Sequence, residues 1–327
     1  MRWLLKCWWF RTGIGFVLVA IVAGYALIPG DSLAAAEKKI AEGPSVRIGL
    51  MKSLFRDAPD SLRQVLMEPF RTLTESQTGI KSELETAATA YELGQKLNEN
   101  KIQLGVFNGI EFGWAQQDFP RLKPLLIGVN KHRELFAHLV VVKDSKLKDF
   151  AELQNQTVAL PRWSRHHCHL FFEHCQQEAR RQHKDFKIHV ATPKGTEAAL
   201  DDLVRGNVQA CVADGVALES YQREKPGSYG KLKTLKKSEA FPSAVVAYLP
   251  GVLAEETLAR FRAGMKRANE TSVGRQLLAT SRLTGFENVP AEYQKMLTEI
   301  VKLYPAPGLT RKESAPGKQP SRHDEHH

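Results

Sequence analysis

Between Pro44 and Tyr304 short β-branched runs alternate with segments of helical period, which predicts an α/β chain. Val46-Arg47-Ile48-Gly49-Leu50 reads as the first strand. A helix follows, with Leu62, Val65, Leu66 and Leu73 on its inner face and Pro69 kinking it or starting a second segment. Ile80 to Thr86 is the second strand, and Ala90, Leu93 and Leu97 mark the inner face of the next helix. Strands three and four are Gln103 to Phe107 and Leu125 to Val129, and Phe136 to Val142 is a long apolar strand that leads out of this unit.

The same alternation then begins again. Thr157 to Leu160 predicts a strand, residues 165–180 a helix, and Ile188 to Ala191 another strand. Thr196, Ala199, Leu200 and Leu203 face one way on a helix that Gly206 ends at the C′ position. Ala210 to Ala213 is a strand that stops at Asp214-Gly215. The basic run from Arg223 to Lys237 reads as a solvated loop or helix face, Ala244 to Leu249 as a returning strand, and the chain from Ala254 onward as helices. No repeat of fixed period is present. Two such units, with a return of the chain to the first, place a ligand in the cleft at the carboxyl ends of the strands.

The two ends break the pattern. Arg2, Lys6 and Arg11 precede an uncharged apolar run from Thr12 to Ile28, and Ala34-Ala35-Ala36 offers a small-residue cleavage site. That order predicts a secretory signal peptide over 1–36, an uncleaved anchor being the alternative. Past Tyr304 no apolar period survives, so 305–327, with Pro305, Pro307, Pro316 and Pro320, reads as a disordered tail. Its His323, His326 and His327 are read as solvated residues rather than as a metal site.

Composition then narrows the classes. The chain has 327 residues, 43% hydrophobic, enough for two packed lobes. Four cysteines exclude a disulfide scaffold. The formal charge of +10 belongs mostly to the body and calls for an anionic partner. Nucleic acid is excluded, because the basic run 223–237 carries only Tyr229 among its charges and export removes the chain from that partner. There is no Walker loop, no G-x-G-x-x-G after a strand and no H-E-x-x-H.

The chemistry-bearing candidates stand just after the strands: Lys52 and Ser53, Thr89, Asn108 and Glu111, then Arg162, Trp163, Ser164 and Arg165, Thr196, and Asp214. Several lead into helices, whose free N–H groups hold anions. The densest cluster is Arg165-His166-His167-Cys168-His169, with His174 and Cys175 beyond. On a helix Cys168, Phe171, Phe172, Cys175 and Ala179 form one apolar stripe, so both cysteines are assigned to the core and the histidines to the polar face or cleft edge. Seven helical residues separate the cysteines by about 10 Å, too far for a disulfide. No zinc spacing is matched, so no metal is assigned.

The body from Ser45 to Tyr304 resembles the periplasmic substrate-binding proteins of phosphate, phosphite and phosphonate ABC transporters, the PhnD-like family. The resemblance rests on the strand Val46 to Leu50, on Ala90-Tyr91-Glu92-Leu93, on Leu104 to Gly109, and on Leu147 to Ala159. It continues through Val204 to Ala210 leading to Asp214, and Phe241-Pro242 before the returning strand. It implies a two-lobed type II periplasmic-binding-protein fold, each lobe a mostly parallel sheet flanked by helices. Lobe 1 would comprise 44–137 and 242–304, lobe 2 138–241, with hinge crossovers near Ala137–His138 and Phe241–Pro242. It also adds Tyr91 to the ligand-binding candidates. Where the family carries Ser and Thr at the second-lobe helix start, this chain has Arg162-Trp163-Ser164-Arg165-His166, keeping only Ser164. A family Ser-Tyr pair becomes Glu111-Phe112, and a family His becomes Thr196, whereas Asp214 matches an acidic cleft residue.

The expectation is therefore an exported, monomeric solute-binding protein without a cofactor and without catalysis. It would close on a small anionic or zwitterionic, phosphonate-like molecule and present it to an ABC permease. Arg162 and Arg165 would hold the anion, Glu111 and Asp214 a cationic group, and Trp163 would stack on a flat or quaternary-ammonium group. The alternatives are a sensor or accessory protein on the same fold, and a metal or thiol enzyme built on His166 to Cys175.

Overall fold

The polar and apolar alternation sorts into two sheets joined by a two-stranded ribbon. The computed structural model describes residues 45–55 and 60–307, so the segment read as an export signal and residues 308–327 lie outside the described residues. In chain order the elements are β1 (Ser45–Met51), α1 (Asp60–Thr78), β2 (Lys81–Ala87), α2 (Ala90–Asn98), β3 (Leu104–Phe107), α3 (Gly109–Asp118) and β4 (Lys123–Val129). The short β5 (Glu134–Leu135) then leads to β6 (Ala137–Val142), β7 (Thr157–Ala159), α4 (His166–Gln182), β8 (His189–Ala191), α5 (Thr196–Arg205) and β9 (Ala210–Asp214). After α6 (Gly215–Glu224), α7 (Pro226–Tyr229) and β10 (Leu232–Lys237), the chain passes through β11 (Phe241–Pro242). It closes with β12 (Ala244–Tyr248), α8 (Glu255–Lys266), α9 (Ser272–Thr280), β13 (Gly285–Glu287) and α10 (Tyr293–Leu303).

The first sheet has the order β13-β4-β12-β3-β1-β2, and the second β10-β6-β9-β7-β8. In the first, β1 runs parallel to β2 and β3, and the returning β12 wedges antiparallel between β3 and β4. In the second, β7 is parallel to β8 and β9, with β6 antiparallel to β9. β5 and β11 pair antiparallel where the chain crosses between the sheets in each direction. Each sheet buries both faces, and the period of two along a strand sends neighbours to opposite cores. On β12, Val245 and Ala247 join the cluster of Phe107, Ile127 and Leu297, and Val246 joins Ile48, Leu50 and Phe261. On β9, Ala210 and Val212 join Cys168, Phe171 and Cys175, and Cys211 and Ala213 join Leu200, Leu203 and Tyr221.

Two details depart from the pattern read along the chain. α1 is one helix through Pro69, and its buried face is Met67, Phe70, Leu73 and Thr74, not Leu62, Val65 and Leu66. Those three are 47%, 51% and 39% exposed, whereas Met67, Phe70 and Leu73 share a core cluster with Leu258 and Phe261 of α8 and Leu278 of α9. The basic run is not a loop or helix face over 232–237 but the edge strand β10, paired antiparallel with β6. Lys233 donates to the Ser145 carbonyl at 2.6 Å and Lys236 to Glu178 at 2.7 Å, so the lysines protect a sheet edge from adding a further strand. Gly206 ends α5 at φ +80°, as the spacing required.

The returning crossover presses on the helix that will matter for the site. A β-carbon on Gly109, the first residue of α3, would lie 2.4 Å from the Pro242 carbonyl oxygen and 2.5 Å from that of Ser243. Both are backbone atoms and have little room to give. Gly109→Ala is expected to destabilise the fold by about 1–3 kcal/mol in chemical denaturation; an unchanged midpoint would show that the crossover is not seated on α3.

Candidate functional site

Two carboxylates at the ends of inner strands organise the junction of the lobes. The first belongs to Glu111, in the opening turn of α3 directly after β3, and is 4% exposed. Its Oε2 accepts from the Ser53 hydroxyl at 2.7 Å, from Asn108 Nδ2 at 2.8 Å and from the Asn108 backbone N–H at 3.3 Å. Asn108 Nδ2 also donates to Ser53 Oγ at 3.0 Å, which ties the turn after β1 to the turn after β3. Across the junction, His166 Nε2 lies 3.7 Å from Oε1. Trp114 of α3 meets the His166 ring edge-on, with centroids 6.2 Å apart.

The second carboxylate is Asp214, at the end of β9 and the N-cap of α6. Its Oδ1 accepts from the Val216 and Ala217 N–H groups at 2.8 and 3.2 Å, so half of the group is consumed by capping. Its Oδ2 faces Arg165 Nε and His167 Nε2, each at 3.4 Å. Both partners come from the start of α4, where the helix N-terminus adds a partial positive charge. Of the histidines read as polar-face or cleft-edge residues, His167 lies on the junction side and away from solvent: it is 4% exposed and packs on Phe241, ring centroids 5.6 Å apart. The crossover fixes Asp214 as well, since Gly215 donates to the Phe136 carbonyl and Ala137 pairs with Asp214.

A pair of arginines bridges the lobes. Arg165 Nη2 donates to the Arg282 carbonyl at 3.1 Å, and Arg282 Nη1 donates to the Trp163 carbonyl at 3.0 Å. Arg282 follows α9 on the first-sheet side, in a left-handed turn at φ +54°. Desolvation, then the like charge of Arg165, push its guanidinium below the ordinary arginine range, against the pull of Asp214. The pattern of strand ends could not reveal Arg282, because it stands before a strand and 68 residues beyond Asp214.

The structure thus gathers Ser53, Asn108, Glu111, Arg165 and Asp214 of the sequence candidates, and adds His166, His167 and Arg282. Ser164 is buried beside them, its N–H on the Pro161 carbonyl, and Trp163 is 44% exposed. Others are occupied otherwise. Thr89 caps α2 by accepting from Glu92 N–H at 3.1 Å, and Tyr91 lies 43% exposed against Phe119. The charge of Lys52 acts on Glu92. Arg162 is exposed and donates its N–H to Pro193, and Thr196 opens α5 half-buried. Among the described residues no helix is long and apolar enough to cross a membrane.

Comparisons with known proteins give the fold a context. The family described as "ABC transporter, phosphonate, periplasmic substrate-binding protein" matches residues 58–293. No curated protein matches the chain. Among solved structures, PhnD1 from Prochlorococcus marinus, in complex with methylphosphonate, is similar at a TM-score of 0.53 and 13% identity, over 79% of this chain and 97% of that one. A Xanthomonas citri protein bound to ATP is similar at 0.52 and 15% identity, over 80% and 97%. A binding-protein component of an ABC phosphonate transporter from Pseudomonas aeruginosa is similar at 0.50 and 15% identity, over 80% and 86%. At these identities the likeness establishes a type II periplasmic-binding-protein fold.

The thiols away from the junction are inert. Burial pushes the Cys175 thiol up to about 12, the positive charge of Lys236 opposing it only in part, and burial alone raises Cys211 further. Burial thus disfavours the thiolate, the reactive form. Both are expected to react with a thiol reagent at about pH 8 only as fast as the chain unfolds; labelling faster than unfolding would reinstate a nucleophilic role for this part of α4.

Proposed function

The chain belongs to the periplasmic phosphonate substrate-binding proteins of ABC transporters, and from that premise we propose that it captures a small anionic or zwitterionic solute between its two lobes and delivers it to a permease. The observation that carries this reading is the set of charges at the junction. Arg165, His166 and His167 of one lobe and Arg282 of the other surround the buried Glu111 and Asp214. A buried carboxylate is stable only with such partners, and a buried cation likewise. In the closed form the protein satisfies these groups with one another, so a solute enters by exchanging for them. Its anionic end takes the guanidinium donors of Arg165 and Arg282, which match phosphonate or carboxylate oxygens. A cationic end takes a carboxylate oxygen of Glu111 or Asp214, and exposed Trp163 borders the entrance.

Opening is a hinge motion about the β5/β11 ribbon, the only paired strands shared between crossings among the described residues. Lys52, Thr89, Tyr91, Arg162 and Thr196, which lie at strand ends or helix starts away from the charged junction, are placed by this reading at the cleft walls and reached by larger solutes. The N-terminal 36 residues act as the export signal, cleaved after Ala36, and the mature chain works as a monomer.

A thermal-shift screen against phosphate, methylphosphonate, sulfonates and an aminophosphonate identifies the class, because a solute that binds only the folded state raises the melting temperature. Arg165→Ala is expected to weaken the best solute more than tenfold by calorimetry while the chain stays folded at the temperature of the measurement, with a lowered midpoint of denaturation because Asp214 loses a partner, and Arg165→Lys to recover part of both losses. Equal affinity in Arg165→Ala would remove that residue from the site.

A further inference from the structure

The junction holds a second arrangement, which shares Asp214 and His167 with the solute site and adds Cys168. We propose that His167, Cys168 and Asp214 form a three-donor site for a borderline transition metal, with zinc the best match. The spacing along α4 argued against a metal, since consecutive helical residues point about 100° apart and none of the ligand repeats is present. The tertiary structure supplies what the helix lacks: β9 ends beside the first turn of α4 and brings Asp214 to the two neighbours. His167 Nε2 lies 3.6 Å from Cys168 Sγ and 3.4 Å from Asp214 Oδ2, and the three donor atoms all lie within 4.8 Å of one another.

Those two separations, a hydrogen-bond contact and an ion pair as the side chains stand, also match two edges of a zinc coordination tetrahedron. With Zn–N near 2.05 Å, Zn–S near 2.3 Å and Zn–O near 2.1 Å, the nitrogen–sulfur edge is about 3.6 Å and the nitrogen–oxygen edge about 3.4 Å. A charge-assisted hydrogen bond between His167 and Asp214 would be much shorter, about 2.7–2.9 Å. An ion there would draw the Cys168 sulfur and the Asp214 oxygen, which lie within 4.8 Å of one another, to about 3.6 Å, the third edge of the tetrahedron. The donors are 4%, 0% and 7% exposed, so the three ligating residues are themselves shielded from bulk solvent. A thiolate and a carboxylate also neutralise a divalent cation in full, which meets the cost of burying it.

The surroundings hold the donors in place. The second oxygen of Asp214 is fixed by the Val216 and Ala217 amides, and the His167 ring is held by Phe241, so neither ligand has to be ordered when the metal arrives. Arg165 Nε shares Asp214 Oδ2 at 3.4 Å and is the group that must give way. Three protein donors leave a fourth position for water or an anion, the composition of an open rather than a closed zinc site. All three donors come from one lobe, so the site forms whether or not the lobes close.

Cobalt(II) tests this in the full-length chain, because a cobalt–thiolate bond has a near-ultraviolet charge-transfer band that histidine and carboxylate ligation lacks. The wild-type protein is expected to bind cobalt with that band and to lose the band on adding zinc. Cys168→Ser is expected to abolish the band. Asp214→Asn, which keeps an oxygen for capping α6, is expected to weaken zinc more than about tenfold in a chelator competition. The tail histidines His323, His326 and His327 have no thiolate signature and do not imitate it. Absence of the band from the wild type, its persistence in Cys168→Ser, or equal zinc affinity in Asp214→Asn would each overturn the proposal. Anion binding is read separately by calorimetry in the absence of metal, so a chain that binds cobalt but no anion retains this site and loses the transport reading.

Discussion

Two carboxylates removed from water at the ends of the inner strands constrain much of this molecule. Glu111 and Asp214 are held by their own lobes on one oxygen, through Ser53 and Asn108 in one case and through the α6 amides in the other. Each turns its second oxygen to the start of α4. A buried charge left unpaired costs several kcal/mol, so His166, Arg165 and His167 are not interchangeable surface residues. They complete one site across the junction and another within lobe 2, and the consecutive positions 165–167 serve both.

The crossovers place these groups. β11 is seated on Gly109, so the helix that carries Glu111 cannot shift without moving the returning strand. Asp214 pairs with Ala137 at the outgoing crossover, and Phe241 of the returning one supports the His167 ring. Tyr304 adds a further tie: it stacks on Phe241 and His174 and accepts the Trp114 indole N–H at its carbonyl, while its hydroxyl donates to Glu239. The crossovers and the charged site are thereby one mechanical unit.

Much of the fold was legible because its signals are local. Strand alternation located β1, β3, β7 and β9, Gly206 ended α5, and the apolar stripe of α4 put Cys175 against Phe171 in the core. The failures share a cause. Leu62, Val65 and Leu66 have helical spacing, but whether an apolar stripe is covered depends on which elements pack against it, not on the stripe. The lysine-rich run became the edge strand β10 because β6 offered an unpaired edge, which no local propensity records.

By itself the sequence determined the α/β alternation and the positions after the strands where chemistry gathers, since these follow from nearest-neighbour sterics and from burial with a period of two or 3.6, and its motifs carried a family resemblance. Only the tertiary structure decided which of those positions meet. It joined Glu111 to His166 across 55 residues and Asp214 to Arg165 and His167 across 49 and 47, and it brought in Arg282 from a turn that no strand-end rule selects. It also set Cys168, which stays in the core, beside two further metal-type donors. The physical reason is that charge pairing and coordination depend on distance in space, and that distance is set by how β9, α4 and the crossovers pack.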